Sequence, residues 1–217
     1  MAIKPILFNT EMVRSILDGR KSCTRRIVTT RRKAACGFYV TKKADGTFSG
    51  IYEYDENESM FDNPLMPPYQ PGDILYVRET WERFECWNCE GDERGNCPKE
   101  PRKSVLYKTC GCYMYRATDE ISGDAKWHPS IHMPKEAARI WLKVTDVRVE
   151  SLQDMTDDDA EAEGCFDYTS TALGFPDVWD STIKKSDLDR YGWDANPWVW
   201  VIEFERCEKT GEEELCD

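Results

Sequence analysis

The sequence has no apolar run that could cross a membrane. Stretches such as Ile140 to Val144 fall far short of the roughly 20 residues that a spanning helix needs, and charges flank them. No apolar h-region follows Lys4, so Met1 to Thr10 does not read as a signal peptide and a cytoplasmic location is expected. Histidine is scarce. His128 and His132 are the only two, and neither lies near a Ser-rich elbow or a second carboxylate motif, so a histidine-based nucleophile or general base lacks its parts. Positive charge is in deficit: 29 Lys and Arg stand against 41 Asp and Glu, a net charge of −12. That balance disfavours non-specific attachment to a nucleic-acid backbone, where cations must replace counterions along the phosphates. Ten cysteines in 217 residues fall below the density of a disulfide scaffold, and there is no internal repeat.

What is present suffices for a sizeable core, since hydrophobic residues make up 40% of the chain, including 8 Trp, 10 Tyr and 8 Phe. Length and composition together suit one domain over residues 1–217 with an insertion. Charge is unevenly placed. Residues 1–43 hold 11 Lys and Arg against Glu11 and Asp18, a balance of +9, whereas the remainder carries −21. An anion-binding surface near the N-terminus is compatible with that asymmetry, and so is a solvated charged face.

Along the chain, Lys4 to Phe8 reads as a strand, and Asn9 or Thr10 caps a helix bearing Met12, Val13, Ile16 and Leu17 on one face, closed by Gly19. Arg20 to Val28 suits a strand. Cys36 to Val40 and Thr47 to Tyr54 read as a hairpin, and Asp55 to Pro71 as loop. Asp73 to Trp81, Tyr113 to Ala117, Ala138 to Leu152 and Trp198 to Phe204 carry strand patterns. Thr156 to Glu163 opens with a capping box and ends at Gly164, and a further helix is expected between Asp177 and Arg190. Strands dominate with a few short helices, so the class is α+β with a small, strongly bent sheet or barrel.

The densest set of polar groups is Gly19 to Arg26. In an extended chain Arg20, Ser22, Thr24 and Arg26 share one face and Lys21, Cys23 and Arg25 the other, so Lys21 joins Thr24 only if the chain bends between them. A basic edge strand that opposes aggregation fits the same residues. Five further cysteines, Cys86, Cys89, Cys97, Cys110 and Cys112, cluster in a polar segment over 84–112. This Cys-rich insertion fits a structural zinc site, with Cys110 or Cys112 as the fourth ligand, because thiolates can replace the core that the segment lacks. Idle reduced thiols are the alternative. No organic cofactor is expected.

The series Gly19-x-Lys21-x-x-Thr24-x-Arg26 behind an amphipathic helix, Pro71 to Val77, the strand at Ile140 to Val149, the Thr-acid-Ala-x-x-Glu-Gly helix and the terminal Val-Ile-Glu-Phe strand resembles the ASCH domain family. Its longer members, common in phages and prophages, share Arg78 to Trp81, Trp127 to Pro134 and Asn196 to Trp200. The likeness covers nearly the whole chain apart from residues 31–66 and 84–112. It implies a PUA-like bent β-barrel with short flanking helices, and a function in nucleic-acid or modified-nucleobase recognition, with RNA, DNA or a modified nucleoside as partner. One bacterial branch is an amidohydrolase on N4-acylated cytidine that uses the positions matching Lys21, Thr24 and Glu163. In that chemistry Thr24 attacks or holds water, a neutral Lys21 takes a proton, and Glu163 orients the lysine or shuttles the proton. In the recognition reading Lys21, Arg20, Arg25 and Arg26 meet phosphates and Glu163 accepts from an exocyclic amine. Arg78, Glu79, Trp81, Trp127 and Ser130 are candidate pocket residues, with stacking assigned to the tryptophans. Trp198 and Trp200 read as structural. Ribonuclease activity is a further alternative. So is a phage accessory role with a host protein partner, served by acidic residues from Asp154 to Glu163 and Glu212 to Glu214.

Overall fold

The computed structural model describes residues 1–46, 48–85, 102–103, 110–120, 126–164 and 174–209. The fold is α+β. In chain order its strands are β1 (Ile3–Leu7), β2 (Cys23–Ile27), β3 (Gly37–Lys42), β4 (Phe48–Tyr54), β5 (Ile74–Arg78), β6 (Trp81–Glu85), β7 (Arg102–Lys103), β8 (Cys110–Tyr115), β9 (Trp141–Ser151) and β10 (Trp198–Cys207). The helices are α1 (Thr10–Leu17), α2 (Asp157–Ala162), α3 (Phe175–Ser181) and α4 (Leu188–Tyr191). None of the described helices is long and apolar enough to cross a membrane. The chain divides into two compact units interleaved in sequence. The first takes Met1–Arg20, Asp73–Lys143 and Glu205–Asp217, and the second takes Lys21–Gly72 and Val144–Phe204.

In the first unit β5 lies parallel to β1, with Ile3 opposite Ile74, and antiparallel to the start of β9, with Leu75 opposite Leu142. Buried Asp73 anchors the N-terminal residues, accepting from the Ala2 amide at 2.9 Å and from Lys4 Nζ at 2.8 Å. Of the two cap residues that the sequence offers, Asn9 caps α1, accepting from the Met12 amide, and Thr10 is the first helical residue. The strand expected over Asp73 to Trp81 is in fact two. The Glu79 amide turns to Met133 Sδ instead of a ladder partner, and Trp81 opens β6, which pairs with β8. Ile74, Trp81, Tyr113, Met133 and Trp141 share one core. The segment expected as an insertion is closed at its base by the ladder β6-β8-β7, where Glu85 and Arg102 both face Gly111.

In the second unit β2 runs antiparallel to β10, with Thr24 opposite Ile202 and Arg26 opposite Trp200. Val199 and Val201 on β10 pack with Leu152, Met155, Ala160, Phe175 and Trp179. The expected hairpin is β3–β4. The capping box of α2 is formed, with Thr156 accepting from the Asp159 amide and Asp159 from Thr156, and Gly164 follows with φ +92°. The single helix expected over Asp177 to Arg190 divides into α3 and α4. The Thr182 hydroxyl donates back to the Trp179 carbonyl at the end of α3, and Asp180 accepts from the Trp193 amide, which ties the residues after α4 back to α3. Each ladder ends in an edge strand, β1 in the first unit and β2 in the second, so among the described residues no ladder closes into a barrel.

Candidate functional site

Past α1 the chain reverses at Gly19, whose φ of +75° is in the region that glycine enters without cost. Ser22 then fixes the entry to β2 from two sides. Its amide donates to the Ala162 carbonyl at the end of α2 (2.8 Å), and its carbonyl accepts from the Phe204 amide of β10 (2.9 Å). Those two bonds hold Lys21 beside Glu163, the C-terminal cap of α2.

Lys21 Nζ donates to the main-chain carbonyl of Glu163 at 2.9 Å and to its carboxylate Oε2. Both side chains are buried, with 0% and 6% of their surface exposed. The second carboxylate oxygen accepts from the Arg25 amide at 2.7 Å and lies 3.5 Å from Arg25 Nη1. Glu163 therefore ties the residues ahead of β2 to the main chain of β2 itself. Arg25, also with 0% of its side chain exposed, turns its other guanidinium nitrogen to Glu150 at 2.8 Å and to Asp159 at 3.3 Å. Arg148 continues the line. It reaches Glu150 at 3.3 Å and Asp159 at 3.5 Å and donates to Glu203. Thr24 is buried on β2 opposite Ile202, and its hydroxyl enters none of these bonds.

The electrostatics follow from this arrangement. Burial, then the charge of Glu163, pushes the Cys23 thiol up to about 12. For Arg25, burial acts against the cation, but Glu163, Cys23 and Glu150 outweigh it and raise the pKa. Burial likewise works to raise Asp159. The two bonds from Thr156 and the charge of Arg25 win, and its carboxyl lies below the usual range. Arg26 differs: burial pulls its pKa down, against the influence of Tyr69 and Glu163.

Arg26 opens onto a groove of about 170 Å³, lined also by Ile27, Thr29, Arg31, Leu65, Met66, Pro68 and Trp200. Arg31 is braced there by its bond to the Met66 carbonyl and by its amide bond to buried Glu53, which also accepts from the Arg32 amide at 3.0 Å. The groove joins two cations to apolar walls and the indole of Trp200. That is the composition of a site for a small, flat, electron-rich group.

Lys21, Arg25 and Glu163 thus meet in the second unit, whereas alternation along β2 turns Thr24 to the face opposite Cys23 and Arg25. Arg20 is at the surface of the first, paired with Asp18 at 2.9 Å. The remaining expected pocket residues also belong to the first unit. Arg78 Nε donates to the Met133 carbonyl at 2.7 Å. Glu79, 1% exposed, is clamped by Arg139 through two bonds of 2.8 and 2.9 Å. Trp81 is a core residue packed against Tyr113 and His128, with its indole N–H unpartnered among the described residues. Trp127 is half-buried, and Ser130 opens a 3-10 turn. Of the acidic residues suggested for a protein partner, Asp157, Asp158 and Glu161 are exposed on α2, whereas Asp159 and Glu163 are spent on Arg25 and Lys21. Glu212 to Glu214 lie outside the described residues.

Cys86, Cys89 and Cys97 also lie outside the described residues, while Cys110 and Cys112 sit on β8 opposite Lys103 and Phe84. Among the described residues no three of His, Cys, Asp and Glu are grouped to hold a metal ion. Two features escaped the sequence reading: the role of Arg25 as a buried hub, and Trp200 as a groove wall. The second had a signal, because Arg26 and Trp200 both lie at alternating positions of strands with strong β pattern. Comparison with family models, with curated proteins and with solved structures finds no match to this chain.

Proposed function

We propose that the chain is an ASCH-type, PUA-like module that recognises nucleic acid or a modified nucleobase in the groove beside Arg26 and Trp200. The buried Lys21–Glu163–Arg25 network supports β2 beneath it. The observation that carries this reading is Arg26, a guanidinium held in the groove although burial penalises its charge. A cation kept at such a position is suited to an anion or a carbonyl-rich ring edge. The volume is below the roughly 300–1,000 Å³ of drug-sized ligand sites, which favours a single base over a longer segment. Lys21 acts here by positioning: its bonds go to the two Glu163 oxygens, so it holds the end of α2 against β2.

The buried pairing of Lys21 with Glu163, next to the strand that carries Thr24, favours one second reading, hydrolysis of N4-acylated cytidine. There a water held by the Thr24 hydroxyl adds to the acyl carbonyl, or the hydroxyl itself adds and water then hydrolyses the acyl ester left on Thr24. The proton passes by way of Lys21 and Glu163 to the departing N4 amine, and the acyl group leaves as a carboxylic acid. Incubation with plain and N4-acylated cytidine, followed by mass analysis and a binding measurement, separates the two. Recognition predicts binding with no change in mass. Release of the acyl group makes the chain a hydrolase, and neither binding nor product defeats both readings.

The Cys-rich segment enters the proposal as a structural zinc site of Cys86, Cys89, Cys97 and either Cys110 or Cys112, a thiolate set that suits tetrahedral zinc. Purified protein is expected to hold about one equivalent of metal, and chelation to open residues 86–109 to protease while the strands elsewhere survive. Metal-free protein whose segment resists protease would sink the assignment.

A further inference from the structure

We infer that the outer face of the β3–β4 hairpin is a stacking platform for single-stranded nucleic acid, built from Tyr39, Tyr52 and Tyr54. The register places Gly37 opposite Tyr54, Tyr39 opposite Tyr52 and Thr41 opposite Gly50, so all three tyrosines share one face. The alternate positions point inward: Ile51 is 0% and Glu53 2% exposed. On the outer face the two glycines do specific work. A Cβ on Gly37 would collide with the Tyr54 ring, and one on Gly50 would come within 2.9 Å of Tyr52. Both rings therefore lie down over bare backbone instead of standing off the sheet. Tyr54 also stacks on Tyr39, with centroids 4.6 Å apart and planes at 28°. Tyr39 remains 40% exposed. The pair covers one face of each of its rings, so the exposed ring of Tyr39 is the place where an unstacked base would continue the stack.

Charge selects the partner. Lys33 precedes β3, and Lys42 and Lys43 close it. All three are exposed and make no ion pair among the described residues. They stand within the only strongly basic part of a chain whose net charge is −12. Glu58 acts electrostatically on Tyr39, so the phosphates are expected on the Lys42–Lys43 side. Aromatic faces on a hairpin with exposed lysines before it and at its turn match bases and phosphates together, and a single strand presents both at once. The platform joins the groove through Glu53, whose carboxylate on the inner face accepts the amide of groove-lining Arg31. It needs none of Lys21, Thr24 or Glu163.

The test is fluorescence anisotropy of a labelled oligouridine of about ten nucleotides with the full-length protein, at two salt concentrations. Tyr39→Ala is expected to weaken binding about tenfold, and Tyr39→Phe to retain it, because the ring and not the hydroxyl stacks. Lys42→Gln with Lys43→Gln is expected to flatten the salt dependence. Binding of a mononucleoside in the groove should be untouched by Tyr39→Ala, which separates failure of the platform from failure of the groove. Equal affinity of wild type and Tyr39→Ala overturns the inference. So does wild-type protein that binds no oligonucleotide, which would leave the tyrosine face to a protein partner.

Discussion

Glu163→Ala should destabilise the protein by about 3–5 kcal/mol, read as a lower urea midpoint at an unchanged slope. The size comes from what the substitution leaves behind. Lys21, with none of its side chain exposed, would lose the Glu163 carboxylate bonded to it, and the Arg25 amide would lose its acceptor. Replacing both charges, as in Lys21→Met with Glu163→Gln, should recover a large part of the loss. A buried pair is costly to break but far less costly to replace. A Glu163→Ala protein within about 1 kcal/mol of wild type would mean that the pair contributes nothing. The same network sets an acid limit. The Asp159 carboxyl is held below its ordinary value in the fold, so the unfolded chain binds the proton first. Its contribution is complete above the ordinary carboxylate range and is lost as the pH falls through it and below.

Arg26→Gln should weaken binding of a nucleic-acid ligand by about ten- to a hundredfold, the range of a hydrogen bond to a charged group. It should also reduce the slope of affinity against salt by about one if the lost contact is a phosphate. Stability should change less than in Glu163→Ala, because removing the cation also removes the cost of burying it and Gln keeps a polar head for the neighbours of Arg26. That pairing of a large loss in binding with a small change in urea midpoint distinguishes a ligand contact from a structural arginine. A fall in stability that matches the fall in binding would make Arg26 part of the scaffold and leave the groove without its central cation.

Where local rules govern, the sequence and the structure agree closely. The Asn9 cap, the Gly19 reversal and the Thr156–Asp159 capping box depend on residues within a turn of one another, and each forms as expected. Alternation along β2 also held, since Cys23 and Arg25 lie on one side, with Arg25 Nη1 3.7 Å from the Cys23 sulfur. What alternation could not say is which side faces the interior. Arg25 looked like a surface cation because its three acidic neighbours arrive from β9 and α2, more than 120 residues away in sequence. Trp81 failed for a related reason. Its segment has continuous strand character, and only the long-range bond of the Glu79 amide to Met133 breaks it, turning a presumed pocket residue into core. The meeting of Lys21 with Glu163 was legible through family resemblance and not through periodicity.

The helix that presents Glu163 is six residues long, under two turns, and an isolated helix of that length does not persist in water. It also ends with a carboxylate at the pole where the backbone carbonyls are already negative, an arrangement the helix itself resists. Lys21 and Arg25 reverse that preference. Folding of α2 and formation of the ion pair are consequently one equilibrium: if the last turn opens, Lys21 loses its partner, and if Lys21 is withdrawn, the turn loses its anchor. The Ser22 bond to Ala162 belongs to the same cooperative unit. Protection of the Ser22, Ala160 and Glu163 amides against solvent exchange is therefore governed by a single opening, although these residues are spread over 142 positions of the chain.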